Sequence, residues 1–193
     1  MSLARKEQRI SVDEYFDLQR RTDKRYDFWD GKLIELEATT KIHNRIKRNL
    51  IRKLDVPGLS EKGCELFDEN VMTQLKNRRK YVYPDIVVSC NPDDDDPLIV
   101  KYPCIIIEVL SDGTEQYDRT EKFFKYQRIL SVEQCVFISQ KIMAVESFIR
   151  STEDQWLFKA LEKPDDRLVF PKLGISIGLE AIYQGIALPA EEQ

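Results

Sequence analysis

Cys104-Ile105-Ile106-Ile107-Glu108-Val109-Leu110-Ser111 is a run of β-branched and aliphatic residues broken by a single acid. It is too short for a membrane span, and its composition predicts a central, buried β-strand over 104–111. Glu108 is the anomaly within it. An unpaired carboxylate inside such a strand costs several kcal/mol, so it calls for a cation, a proton or a hydrogen-bond donor. Tyr81-Val82-Tyr83-Pro84-Asp85-Ile86-Val87-Val88 repeats the pattern. Its proline marks a strand start or a bulge, where a side chain is often re-aimed. Two neighbouring apolar strands with one acid each can bring both carboxylates to one point, and a divalent metal then relieves their repulsion. Alternatively, each acid lies on a solvent-facing side of its strand.

Working outward, Ser11 and Glu14 have capping-box spacing, with Ile10 and Tyr15 placed as a hydrophobic staple, so a helix opens there and runs to about residue 19. Asp30-Gly31 between Tyr26-Asp27-Phe28-Trp29 and Leu33-Ile34-Glu35-Leu36 predicts a β-hairpin. Ile42, Ile46, Leu50 and Leu54 recur every four residues and predict an amphipathic helix over 40–54, ended by Pro57-Gly58. Strands are expected at 64–75, 81–90, 134–139, 144–150 and 155–161. A helix fits 118–130, and a strand with a short helical turn fits 173–185. Together they imply an α/β or α+β protein: a mixed central sheet flanked by helices, in a single domain spanning 1–193 with its core over about 10–186.

The composition excludes several classes. Of 193 residues, 30 are Lys or Arg and 34 are Asp or Glu, a net charge of −4, so bulk positive charge cannot grip nucleic acid. No apolar run approaches the roughly 20 residues of a membrane span. The start carries no apolar leader, which points to a cytoplasmic protein without a membrane partner. The four cysteines form no Cys-x-x-Cys pair and there is one histidine, so a zinc knuckle is excluded and reduced, buried thiols are expected. Asp93 to Asp96 lack the glycine and glutamate of a calcium loop and read as a solvated turn, as does Asp112-Gly113-Thr114.

More side chains bear on the two acids. Asp118, Lys122 and Tyr126 are spaced four apart and share one helix face. They form either an exposed ion pair with its neighbour, or a group that points Lys122 at the carboxylates to steady a water or a phosphoryl transition state. Lys41, Arg45, Lys47, Arg48, Arg52 and Lys53 give the helix over 40–54 six positive charges and no acid. This is either a solvated face or a dock for a phosphate backbone, with Lys41, Arg45, Arg48 and Arg52 as the contact residues. His43, at the edge of the apolar stripe, is a hydrogen-bonded boundary residue, a proton carrier or a ligand.

Tyr26-Asp27, Asp30-Gly31-Lys32-Leu33, His43, Pro84-Asp85, Ile107-Glu108-Val109-Leu110-Ser111, and Asp118-Arg119 followed by Lys122 and Tyr126 stand in one order. That pattern resembles the Uma family of restriction-endonuclease-like proteins, within the PD-(D/E)XK nuclease superfamily. The resemblance covers about residues 10–186. It implies a restriction-endonuclease-like core and a site for Mg²⁺ or Mn²⁺, held by Asp85 and Glu108 with the Val109 carbonyl as a further ligand. The superfamily's lysine two residues after the second acid is replaced here by Leu110, and Lys122 becomes its substitute. Asp27 stands where relatives usually carry Glu, and Glu35 on the partner strand is the other acid available there. The implied activity is metal-dependent hydrolysis of phosphodiester bonds in DNA by an endonuclease, for which a symmetric homodimer is expected. The alternative is a non-catalytic nucleic-acid-binding or regulatory protein on the same fold, and the exchange at Leu110 speaks for it.

Overall fold

The computed structural model describes residues 9–36, 38–75, 79–111 and 118–189. Helix α1 (Val12–Arg21) begins with the capping box expected of Ser11 and Glu14, and Tyr15 is fully buried behind it. Strands β1 (Tyr26–Trp29) and β2 (Lys32–Glu35) form the hairpin, with Trp29 opposite Lys32. Its turn needs positive φ at both central residues, and Asp30 and Gly31 supply 48° and 98°. Helix α2 (Lys41–Leu54) is capped by the Thr40 hydroxyl, which accepts the His43 amide N–H. Pro57 does not merely end it: the proline opens a further short helix, α3 (Pro57–Glu61), from the first-turn position where its missing N–H is harmless.

The stretch expected as one strand over 64–75 is two, β3 (Glu65–Asp68) and β4 (Met72–Leu75). The break is a turn in which Asp68 Oδ1 accepts both the backbone and side-chain N–H groups of Asn70. The stretch over 81–90 divides likewise into β5 (Lys80–Val82) and β6 (Ile86–Ser89), at Pro84, which has no N–H for a ladder. After β7 (Ile99–Val100) comes β8 (Pro103–Leu110), buried along its whole length. The helix expected over 118–130 is shorter: a π-helical turn, Asp118–Lys122, runs into α4 (Phe123–Tyr126). It closes with tight three-residue bonds, Arg128 N–H to the Lys125 carbonyl and Ile129 N–H to the Tyr126 carbonyl, and the Arg150 guanidinium takes the carbonyls of Gln127, Ile129 and Val132 just beyond. Strands β9 (Gln134–Ser139), β10 (Val145–Thr152), β11 (Gln155–Leu161), β12 (Arg167–Phe170) and β13 (Ile175–Gly178) follow, then α5 (Leu179–Ile182).

The strands do not form the single sheet expected. Among the described residues a six-stranded sheet has the order β11-β10-β9-β8-β6-β3, a five-stranded one β2-β1-β5-β4-β7, and β12 pairs with β13. In the six-stranded sheet only β8 and β9 are parallel, joined through the helical segment over 118–126. Alternation divides its two faces. Ile86, Val88, Ile105 and Ile107 pack with Ile46, Leu50 and Leu54 of α2, whereas Val87, Ile106 and Leu110 pack with Trp29, Tyr126 and Phe137. Along the chain the strands pass from the five-stranded to the six-stranded sheet three times, between β2 and β3, between β5 and β6 at Pro84-Asp85, and between β7 and β8, and they return twice, after β3 and after β6.

Two of the cysteines expected as reduced thiols, Cys64 and Cys90, are joined by a disulfide. Glu65 pairs with Ser89 across β3 and β6, so Cys64 and Cys90 face each other just past the ladder's end, a juxtaposition that their separation in sequence hides. Cys104 and Cys135 are free and buried. Asp94 is no idle member of the acidic loop: it accepts the Ser89 hydroxyl and the N–H groups of Lys101 and Tyr102, which pins the loop to the sheet. The Asp112-Gly113-Thr114 turn lies outside the described residues. No described helix is long and apolar enough to cross a membrane.

Candidate functional site

Ile86 pairs with Ile107, so Asp85 and Glu108 are opposite each other one step further along, where the β6–β8 ladder ends. The end of the ladder leaves the Val109 N–H without a strand partner, and Asp85 Oδ2 takes it at 2.7 Å. The Asp85 N–H in turn faces Glu108 Oε2 at 3.5 Å. The proline that interrupts the strand thus turns Asp85 into a side-chain substitute for a ladder bond, and its carboxylate comes to rest beside the next strand's acid.

Three elements converge on this point. From α2, His43 Nε2 lies 3.1 Å from Asp85 Oδ2, and since a carboxylate only accepts, Nε2 carries the proton. His43 is buried, and its Nδ1 has no hydrogen-bond partner among the described residues. From the helical segment after β8, Lys122 Nζ lies 3.2 Å from Glu108 Oε1, and the Tyr126 hydroxyl donates to the same oxygen at 2.7 Å. From β1, Asp27 accepts the Tyr83 N–H on Oδ1 at 3.0 Å and sets Oδ2 3.8 Å from Lys122 Nζ. Asp27, Glu108, Lys122 and Tyr126 are all buried, and the Asp85 side chain is 13% exposed, which makes it the most open of the acids. The floor under Asp27 is neutral. Burial pushes the Tyr15 and Tyr83 phenols up, and the Asp27 charge adds to both shifts.

The structure therefore brings together Asp85, Glu108, Val109, Lys122, His43, Asp27 and Tyr126. It keeps others apart. Glu35 is half-exposed and ion-paired with Lys24. The Asp118 side chain lies outside the described residues. Lys41, Arg45, Arg48 and Arg52 are exposed along one side of α2, and Arg45 is tied to the Gly185 carbonyl. At 100° per residue that stripe is on the far side of the helix from His43. Lys47 leaves the stripe altogether: it is buried in an ion pair with Glu69. Leu110, where the superfamily lysine would stand, is buried with Trp29 and Tyr126, and the helical segment lays Lys122 over the same sheet face instead.

Sequence reasoning missed two contributors. Tyr83 acts through its backbone, which no side-chain pattern reveals. Gln140, at the end of β9, accepts the Thr40 hydroxyl and so braces the cap that starts α2 just before His43. Its only signal was a polar residue closing an apolar strand.

Among the described residues no three His, Cys, Asp or Glu side chains close into a group able to hold a metal. The chemistry of the donors still suits a hard divalent ion. Mg²⁺ keeps several waters and is commonly held through one or two carboxylates. Asp85 and Glu108 are such a pair, and Asp85 keeps Oδ1 outside the bonds described above.

Comparison with known proteins agrees with this architecture. The family model described as "Uma2: Putative restriction endonuclease" matches residues 12–180. Two Synechocystis proteins (strain PCC 6803 / Kazusa) are similar. "Uncharacterized protein slr1290" is 28% identical over 180 residues, 93% of this chain and 94% of that protein. "Uncharacterized protein sll1609" is 26% identical over 155 residues, 79% of this chain and 87% of that protein. The crystal structure of "a putative nuclease belonging to DUF820" from Anabaena variabilis superposes with a TM-score of 0.74 at 16% identity, over 90% of this chain and 97% of that one, so the fold is shared. With the restriction-endonuclease-like fold in place and the family model spanning α1 to α5, the chain belongs to the Uma2 family.

Proposed function

We propose that this protein is a divalent-metal-dependent nuclease that hydrolyses phosphodiester bonds in DNA. The observation that carries the reading is the meeting of Asp85 and Glu108 at the end of two paired strands, with the Lys122 ammonium on Glu108. Two like charges this close demand a counter-charge, and a phosphodiester supplies the need for one as well.

Asp85 and Glu108 would hold Mg²⁺ or Mn²⁺, with the Val109 carbonyl as a third protein ligand. The bound ion would supply Lewis acidity toward the phosphate and a more acidic water. The chain's own part is positioning. The Val109 N–H and His43 fix one oxygen of Asp85 and leave the other for the ion. Tyr126 fixes Glu108 from the opposite side. Lys122 holds positive charge beside the site, where negative charge develops on the phosphate. The exposed stripe of Lys41, Arg45, Arg48 and Arg52 would grip a flanking stretch of backbone, since α2 separates it from the acids. A cytoplasmic location and a symmetric dimer belong to the same proposal.

The test is cleavage of double-stranded DNA with Mg²⁺. Asp85→Asn and Glu108→Gln should each abolish turnover while the circular-dichroism spectrum stays unchanged. Lys122→Met should lower kcat by about 10²–10³, the usual loss on removing one electrostatic stabiliser. Undiminished cleavage by either acid variant removes the assignment. A folded wild type that binds DNA with no turnover in any divalent metal favours the non-catalytic alternative.

A further inference from the structure

Lys122 lies between two carboxylates that come from different sheets. Glu108 on β8 is 3.2 Å from its ammonium and Asp27 on β1 is 3.8 Å away. The lysine side chain is only 9% exposed, so its charge cannot turn out into water without a large rearrangement. Glu108 is also the residue that a divalent ion would claim. An ion on the Glu108 oxygen that faces Asp85 and an ammonium on the other oxygen of the same carboxylate repel each other, so the ammonium has to give ground.

Asp27 is built to receive what yields. It is 1% exposed, and the Tyr83 N–H fixes its Oδ1 in place two residues before Asp85. A carboxylate anchored by main chain cannot follow the lysine, so adjustment falls to the flexible lysine. Asp27 offsets the Lys122 charge, which leaves the charges of Asp85 and Glu108 for the divalent cation. With Asn at position 27 the ammonium would lean wholly on Glu108 and compete harder with the ion.

We propose that Asp27 is a positioning residue for Lys122: it takes over the ammonium when a divalent cation binds Glu108, so that Lys122 stays charged and beside the site in the loaded enzyme. This rests on the metal-dependent reading above and adds a part to it that no ligand list would include, since Asp27 acts on the ion only through the lysine.

The experiment is a double-mutant cycle read by calorimetric titration of the full chain with Mn²⁺. Asp27→Asn should weaken Mn²⁺ binding by about five- to tenfold, a typical coupling between linked sites. Lys122→Met should tighten it, because the competitor is gone. In the Lys122→Met background, Asp27→Asn should change the affinity by about twofold or less. Asp27→Glu, which keeps the charge, should restore wild-type affinity to within about twofold and guards against a variant that loses its fold. An equal loss in both backgrounds means that Asp27 acts on the ion directly and overturns the proposal. So does a folded Asp27→Glu that binds as weakly as Asp27→Asn, or weaker binding by Lys122→Met. If the wild type binds Mn²⁺ and Asp27→Asn binds it equally well, this inference alone fails; if the wild type takes up no Mn²⁺, the metal-dependent reading fails and carries this one with it.

Discussion

Tyr126 shows how much one hydroxyl does at this site. Its O–H donates at 2.7 Å to Glu108, a carboxylate 4% exposed, on the oxygen that also faces Lys122. A buried carboxylate that loses a donor bears most of that group's desolvation penalty. Tyr126→Phe, which keeps the ring and its packing, should therefore destabilise the protein by about 1–3 kcal/mol in urea unfolding. A loss no larger than a few tenths would mean that Glu108 does not depend on this bond. Individual residues were also where the sequence spoke most clearly. Glu108 stood out because an acid among isoleucines needs a partner, and Asp85 because a proline precedes it. What spacing could not say was that His43 reaches Asp85 and not solvent. That depends on the rotation of α2 over the sheet, which Ile46 and Leu50 set by packing on Ile86 and Ile105.

At the scale of elements, local chemistry and long-range pairing part company. The capping box at Ser11, the Asp30-Gly31 turn and the period of α2 are encoded within a few residues, and each was legible. Ser11→Ala should cost about 1 kcal/mol, measured as a lowered midpoint of thermal unfolding, because the Glu14 N–H loses its acceptor. The divided strands were not legible. Nothing within 64–75 announces that β3 joins one sheet and β4 the other, because both halves are equally apolar and only their partners differ. The disulfide was hidden for the same reason, since it follows from the pairing of β3 with β6. The helical segment after β8 was overestimated because its last turn closes on itself through Arg128 to Lys125 and Ile129 to Tyr126, while Arg150, distant in sequence, holds the carbonyls of Gln127 and Ile129 that follow.

For the whole molecule, burial of neutral acids sets the response to alkali. Burial pushes the Cys104 thiol from 9.0 up to about 12, with the Glu133 carboxylate adding to the shift. Burial likewise raises the Tyr183 phenol from 10.0 to about 12, against the opposing effect of its bond with Ala144. Both folded values exceed the unfolded ones. The stability they represent is complete below about pH 9 and drains away as the pH climbs toward 12, since the unfolded chain ionises first. The thermal midpoint should fall steadily over that window at constant ionic strength, and a flat profile would contradict it. The same protonation should leave Cys104 unreactive to alkylating reagents at pH 8 until the chain unfolds.

Asp27 rides on the five-stranded sheet, Glu108 on the six-stranded one, and Asp85 on the peptide that joins them. The cluster is thus a seam, stitched from both sides. A slip of one sheet past the other by a single ångström would leave either greasy interior largely intact, yet it would part Lys122 from one of its acids and Asp85 from Val109 together. The chemistry proposed for this seam would act as a vernier on how the two halves are docked, and it should fade on warming before the interiors themselves melt.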